Sequence, residues 1–201
     1  QLLPDALDTA DNHVIVKAGV KEIAWTKGRS VTFMAKYDHR RAGSSAHVHQ
    51  SLWSLDGKPS FADKSDPHGM SGVMKHYMAG QLAHAREITA FLAPYVNSYK
   101  RFTVGMFAPT KAVWSADNRT AGFRVCGVHT KAVRVECRIP GSDINPYLTC
   151  AALLAAGLAG VEGKLALEPE MKGDMYHADD ARQIPQNLRD AAVALNGSAM
   201  L

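Results

Sequence analysis

One segment of the chain alternates strictly between charged and apolar residues. In residues 133–139, Arg134, Glu136 and Arg138 occupy every second position, with Val, Cys and Ile between them. Because successive side chains of a β-strand point to opposite faces, this period predicts a strand whose apolar face packs on a core. The charged face is either a surface ion-pair ladder or a site in which Glu136 holds a divalent cation and the arginines bind anionic oxygens.

A second segment, residues 45–51, has the same period of two. It places Ser45, His47, His49 and Ser51 on one face. Two imidazoles that project side by side from a rigid strand suit metal binding and hydrogen bonding to a substrate. A solvated polar face is the alternative, because two histidines one residue apart are a common pattern.

Basic residues are concentrated between positions 100 and 138, where only Asp117 and Glu136 are acidic. They are not arranged in the runs or aromatic-interleaved stripes that bind nucleic acid, so we expect a pocket for small polyanions and no nucleic-acid partner. A GxxxxGK[ST] loop is absent, so bound ATP would not be held by a P-loop. The basic residues are Lys100, Arg101, Lys111, Arg119, Arg124, Lys131, Arg134 and Arg138.

Hydrophobic periods and turn residues predict a single α+β unit. The first helix ends at Gly28 and has apolar residues at helical spacing. Paired strands follow at residues 30–36 and 45–53, and a helix covers residues 70–92. The apolar residues of the first helix are Leu7, Val14, Val16, Ile23 and Trp25.

The second half of the chain is predicted to be loop-rich with short strands over residues 97–139. A helix then runs from Pro146 to about Gly163, and its Ala and Gly face permits close packing. A final helix begins near Pro185 and directs four apolar side chains inward, namely Leu188, Ala191, Ala192 and Leu195.

The composition indicates in which compartment the protein acts. The longest apolar stretch, residues 147–161, consists largely of Ala and Gly and is too short for a membrane span, so we expect no membrane segment. Cys126, Cys137 and Cys150 lack metal-type spacing, which indicates buried thiols in a reducing, cytoplasmic compartment. The first residues resemble neither a secretory signal nor a chain start, so we expect a fragment of a longer protein.

Five motifs together resemble the glutamine synthetase family: TFMAK, GSSAHVHQSLW, NSYKRFTVGMFAP, WSADNRTAGFR and RVECRIPGSDINPYL. The likeness extends from the first helix to about residue 201. It implies a curved antiparallel sheet flanked by helices, in the catalytic domain of a ring-shaped homo-oligomer. Residues 1–201 are then part of one such domain, without the small N-terminal domain, the first catalytic strands and the C-terminal end.

The resemblance also implies roles for individual residues. His47 and Glu136 ligate one divalent ion, Mg²⁺ or Mn²⁺. Gly43, His49 and Arg101 contact glutamate.

The resemblance assigns the remaining cationic residues to catalysis and to ATP binding. Arg119 faces the transferred phosphoryl group and Arg138 the reacting carboxylate, while Arg119 also belongs to the ATP site. The implied reaction has two steps, in which ATP phosphorylates the glutamate side chain and an amine displaces phosphate. The other residues nearer ATP are Ser51, Arg124, Lys131 and Arg134.

One departure from the family concerns the amine. Ammonia-using members carry an acid in a GYEAP-like motif, whereas this chain has Phe107 in the sequence GMFAP. Phe107 adds apolar surface and removes a charge, so it is expected to line a site for an organic amine, as in the γ-glutamyl-amine ligase branch. The alternative is that Phe107 only packs and another group serves as base.

Two other functions remain open. One is a true glutamine synthetase, which ligates ammonia. The other is a non-catalytic structural relative, but so many converging charges would be costly without a catalytic use.

Overall fold

The computed structural model describes residues 5–200, which form six α-helices, a short 3₁₀ helix and one four-stranded sheet. The α+β prediction is confirmed. The helices are α1 (Ala6–Thr26), α2 (Gly72–Ala83), α3 (Ala85–Leu92), α4 (Val96–Tyr99), α5 (Pro146–Glu162) and α6 (Leu188–Asn196), with the 3₁₀ turn at Met175–His177. The strands are β1 (Val48–Gln50), β2 (Trp114–Ala116), β3 (Phe123–Cys126) and β4 (Arg134–Cys137).

The sheet is built around β4. Its strand order is β1-β4-β3-β2, with β4 antiparallel to both of its neighbours and β2 parallel to β3. The apolar side chains of residues 133–139 are buried in the hydrophobic core, as predicted. The charged side chains of this segment therefore lie on the opposite face of the sheet. These core residues are Val133, Val135, Cys137 and Ile139, and the helices add Met74, Tyr77, Met78, Leu82, Ile88 and Leu153.

Helices α2 and α5 pack closely at glycines. A Cβ atom added to Gly80 would lie 2.1 Å from Ala156 O and 2.6 Å from Gly160 N. One added to Gly160 would lie 2.2 Å from His76 O. The predicted close packing of the small-residue face of α5 is therefore confirmed.

Helix α1 agrees with the prediction in extent. Asp5 Oδ1 caps its first turn by accepting hydrogen bonds from the amides of Leu7 at 2.8 Å and Asp8 at 2.9 Å. The helix ends at Thr26, and Gly28 follows with a φ of +62°. The apolar residues that predicted this helix are exposed, namely Leu7, Val14, Val16, Ile23 and Trp25.

The strand predicted over residues 30–36 is wrong. This segment is irregular, and its backbone is held by separate hydrogen bonds instead of a ladder. Lys36 N donates to Asn97 Oδ1 at 3.0 Å, and Ala35 O accepts from Ser44 N at 2.9 Å. Its predicted pairing with residues 45–53 is also wrong, because β1 pairs with β4.

Two helix predictions need smaller corrections. The helix expected over residues 70–92 is two helices, because His84 adopts φ −95° and ψ 7° between α2 and α3. In α6, Ala191 is buried but Ala192 is exposed, so the inward orientation predicted for Ala192 is wrong. No helix within residues 5–200 has the length and apolar character needed to cross a membrane.

A buried carboxylate organises the turn that precedes α2. Asp66 Oδ1 accepts hydrogen bonds from the amides of His68 at 3.0 Å and Met70 at 3.1 Å, and Oδ2 pairs with Lys75. Burial alone would raise the pKa of Asp66, but Lys75 and the two amides outweigh it and lower this pKa to about 2. The ionised form therefore stabilises the fold.

We expect Asp66→Asn to lower the free energy of unfolding at pH 7 by about 2 kcal/mol. Because the folded-state pKa lies below the unfolded value, the stabilisation is present above about pH 4 and is lost as the pH falls toward 2. Urea denaturation at pH 7 and at steps below pH 4 measures the difference. The exposed Asp180→Asn variant is the control, and a gap that stays constant down to low pH would contradict the assignment.

Candidate active site

Strands β1 and β4 are distant in sequence but adjacent in the sheet. Their register places His49 opposite Glu136, and the register of β3 places Arg124 opposite the other side of Glu136. Side chains of directly opposed residues share a face of the sheet. His47 and Arg138 lie just beyond the ends of β1 and β4, at the same end of this row. The sheet thus assembles the two predicted charged faces into one cluster.

One oxygen of Glu136 joins the two segments. Glu136 Oε1 lies 3.0 Å from His47 Nδ1 and 2.7 Å from Arg138 NH1. The same oxygen lies 3.6 Å from His49 Nε2. The expected meeting of His47 with Glu136 is therefore present.

The second oxygen of Glu136 faces β3. It accepts a hydrogen bond from Arg124 NH1 at 3.0 Å and lies 3.5 Å from Cys126 Sγ. Burial of Glu136 would raise its pKa, but the hydrogen bond with His47 and the charge of Arg138 outweigh it and hold this pKa well below its usual range. Glu136 is therefore an anion at neutral pH, ringed by cations.

His49 has a defined tautomer. Arg134 Nε donates to His49 Nδ1 at 3.1 Å, and a guanidinium has no acceptor to offer in return. Burial lowers the pKa of His49, Glu136 opposes the shift, and Arg134 adds to it. The neutral ring therefore carries its proton on Nε2, where it is available as a donor.

Arg101 and Gly43 lie together, as their common assignment required. A Cβ atom added to Gly43 would lie 2.5 Å from Arg101 Cγ. Arg101 is 2% exposed and donates to Pro140 O and Ile139 O, each at 2.6 Å. Burial lowers the pKa of Arg101 to about 10. In this arrangement Arg101 supports the chain that follows β4, and its contact with glutamate stays a prediction.

Arg119 borders an open cavity of about 480 Å³, which is also lined by Asp117, Asn118 and Arg124. Arg138 Nε donates to Arg119 O at 3.1 Å, and Arg124 reaches from the cavity to Glu136. Arg124 and Arg138 are thus gathered beside one carboxylate, and Arg119 lines the same cavity as Arg124. A cavity with two guanidinium walls suits phosphoryl or carboxylate oxygens.

Three other predicted residues are exposed and do not hydrogen-bond to Glu136. Ser51 accepts from Trp53 Nε1 at 3.1 Å, and Lys131 lies in the turn between β3 and β4. Phe107 is 75% exposed, with a φ of +58°. Their assignments to ATP and to the amine stay predictions.

Two residues at the site were not predicted. Cys126 contacts Glu136 because β3 pairs with β4, which its own sequence context does not reveal. Asp117 binds Arg124 from the loop after β2. The sequence offered one signal for Asp117, since it is one of only two acids among the basic residues between positions 100 and 138.

The pair His47 and Glu136 fits two positions around a divalent cation. A carboxylate oxygen and an imidazole nitrogen are both ligands for divalent cations, and His47 Nδ1 lies 3.0 Å from Glu136 Oε1, so the two residues would hold such an ion together. Over residues 5–200, no group of three or more His, Cys, Asp or Glu side chains is placed to hold a metal. The assignment of His47 and Glu136 as metal ligands stays a prediction.

Known proteins resemble this chain over nearly its whole length. The sequence profile described as "Glutamine synthetase, catalytic domain" matches residues 2–201. The chain is 47% identical over 196 residues to gamma-glutamylethanolamide synthetase GlnA4 of Streptomyces coelicolor, covering 98% of the chain and 41% of that protein. It is 43% identical over 198 residues to glutamate–isopropylamine ligase of a Pseudomonas species, covering 98% of the chain and 43% of that protein.

A solved structure shares the fold. The ADP complex of GmaS in its conformation 1 superposes with a TM-score of 0.90 at 36% identity, and the match covers 98% of this chain and 47% of the other. The chain therefore spans less than half the length of these relatives.

Proposed function

Because the chain belongs to the glutamine synthetase family, whose catalytic domain matches residues 2–201, we propose that it is part of a ligase that joins the side-chain carboxylate of glutamate to an organic amine. ATP is the co-substrate. The observation that carries the proposal is the Glu136 carboxylate, which His47, Arg124 and Arg138 contact together. Catalysis of phosphoryl transfer consists mainly of positioning and charge neutralisation, and this cluster offers both.

The proposed reaction has two steps. The glutamate side chain takes the γ-phosphoryl group of ATP to give a γ-glutamyl phosphate and ADP, and the amine nitrogen then displaces phosphate to form the amide. We assign Arg119 to neutralise the transferred phosphoryl group and Arg138 to neutralise the carboxylate that accepts it. Arg124 supports both by holding Glu136 from the other side.

We assign His47 and Glu136 as ligands of Mg²⁺ or Mn²⁺. When bound, such an ion screens the negative charge of the phosphates. Arg124 and Arg138 keep the carboxylate of Glu136 ionised and oriented, as a ligand must be. We assign the Nε2 proton of His49 to a hydrogen bond with glutamate.

The amine is assigned from Phe107 and from the relatives. Phe107 brings apolar surface where an acid would favour ammonium. One of the similar proteins is named for an ethanolamide product and another for ligation of isopropylamine. Ligation of ammonia is the alternative, since the matching family takes its name from that reaction.

We further propose that the enzyme acts in the cytoplasm as a homo-oligomer. Cys126, Cys137 and Cys150 are all free thiols, which suits the reducing cytoplasm. A homo-oligomeric ring follows from the family alone.

A panel of amines tests the substrate class. With glutamate and ATP present, we expect phosphate release to be faster with an organic amine such as ethanolamine or isopropylamine than with ammonia, because the apolar surface of Phe107 can contact the carbon chain that ammonia lacks. Product mass identifies the amide that forms. Ammonia that outperforms every organic amine would eliminate the amine-ligase proposal and leave a glutamine synthetase.

A further inference from the structure

The cavity beside Glu136 contains one acid. Of the four residues that line it, Arg119 and Arg124 are cations, Asn118 is neutral, and Asp117 is a carboxylate. A pocket built only for phosphate oxygens gains nothing from a negative charge on its wall. Asp117 therefore calls for a separate explanation.

Asp117 uses only one of its two oxygens within the protein. Arg124 donates to Oδ1 from Nε at 3.1 Å and also from NH2. Over residues 5–200, Oδ2 receives no hydrogen bond, and the side chain is 76% exposed. Asp117 thus presents a free carboxylate oxygen beside the site.

The backbone fixes where this oxygen lies. Asp117 has a left-handed φ of +48°, a conformation that Asp tolerates better than most residues. Its amide donates to Val125 O at 2.9 Å, which ties the loop to β3. The hydrogen bonds from Arg124 hold the side chain from the other end. The free oxygen is therefore positioned before any substrate arrives.

Arg124 keeps Asp117 charged. The hydrogen bond and the charge of Arg124 together lower the pKa of Asp117. A carboxylate with a low pKa is a weak base, but it binds a cation at any physiological pH. Asp117 is thus suited to anchor a cation and unsuited to remove a proton.

We propose that Asp117 Oδ2 binds the ammonium group of the amine substrate, so that the enzyme selects primary amines that are positively charged at neutral pH. The bound ammonium group releases one proton to the solvent of the open cavity before its nitrogen attacks, and the departing phosphate takes up the second proton. This inference rests on the proposed amide-forming function. In this proposal two residues recognise the amine. Asp117 binds its ammonium group, and Phe107 contacts its carbon chain.

Asp117→Asn tests the proposal, because the Asn side-chain oxygen can still accept from Arg124 while the negative charge is removed. We expect the KM for a cationic amine to rise by about fivefold, the loss associated with an exposed ion pair. The KM values for ATP and glutamate are expected to stay within about twofold, since Arg124 keeps its partner. Steady-state phosphate release measures all three.

Hydroxylamine separates anchoring from clamping. It is uncharged at neutral pH and needs no anionic anchor, so Asp117→Asn is expected to use hydroxylamine as well as the unmodified enzyme does. Equal losses with hydroxylamine and with the cationic amine, together with a raised KM for ATP, would assign Asp117 to clamping Arg124 and overturn the proposal. An unchanged KM for the cationic amine would overturn it as well.

The matched control is Asp56→Asn, which removes the same charge from an exposed surface pair with Lys58. Its KM values are expected to equal those of the unmodified enzyme. The unmodified enzyme tests the proposed function itself. If that enzyme used no organic amine, the proposed function would fail before any variant was compared. Failure of the Asp117 proposal is seen only in the comparison of variants.

Discussion

Replacing Glu136 by glutamine is expected to lower turnover by about a thousandfold or more. The change preserves the size of the side chain but removes the charge that His47, Arg124 and Arg138 surround. The two guanidinium groups then repel each other, and the proposed cation loses a ligand. Phosphate release with glutamate, ATP and the preferred amine measures the loss. Titration with Mn²⁺, followed by its paramagnetic resonance signal, is expected to show weaker binding.

Glu168→Gln is the matched control for this variant. Glu168 pairs with Arg182 at 2.5 Å, but both side chains are largely exposed and lie outside the proposed site. Exposed pairs contribute at most about 1 kcal/mol, so turnover is expected to be unchanged. If Glu136→Gln retained full turnover with an unchanged circular dichroism spectrum, the assignment of Glu136 to the metal would be refuted.

The charged faces of the site were predictable because a period of two is a local property. Residues 45–51 and 133–139 each reveal which side chains share a face. The period does not reveal which strands pair or in what register. The juxtaposition of His47 and Glu136 was therefore expected only from the family resemblance, and the structure brings their side chains to 3.0 Å.

The prediction of a strand at residues 30–36 failed for a tertiary reason. Its β-type composition is real, but its backbone bonds are made to the Asn97 side chain and to isolated backbone groups. The position of Asp117 beside Arg124 was missed for a similar reason. Its contact with Arg124 depends on the turn that brings β2 beside β3, and no spacing rule describes such a turn.

The close packing of α2 on α5 places a strict limit on Gly80. We expect Gly80→Ala to lower the free energy of unfolding by about 3 kcal/mol, because the new methyl group would meet Ala156 O at 2.1 Å and Gly160 N at 2.6 Å. These are backbone atoms of a neighbouring helix, so the clash is relieved only if the helices separate. For a domain of this size the melting temperature is expected to fall by roughly 10 °C.

The same glycine-to-alanine change at Gly19 is expected to raise the free energy of unfolding instead of lowering it. Gly19 lies within α1, and a Cβ atom added there meets nothing within 4 Å. Alanine in an open helical position is expected to raise stability by up to about 1 kcal/mol, because glycine is the poorer helix former. Thermal and urea denaturation of the two variants measure the contrast. If the two substitutions changed the free energy of unfolding equally, α2 and α5 would not be in contact at Gly80. The close packing of these two helices would then be refuted.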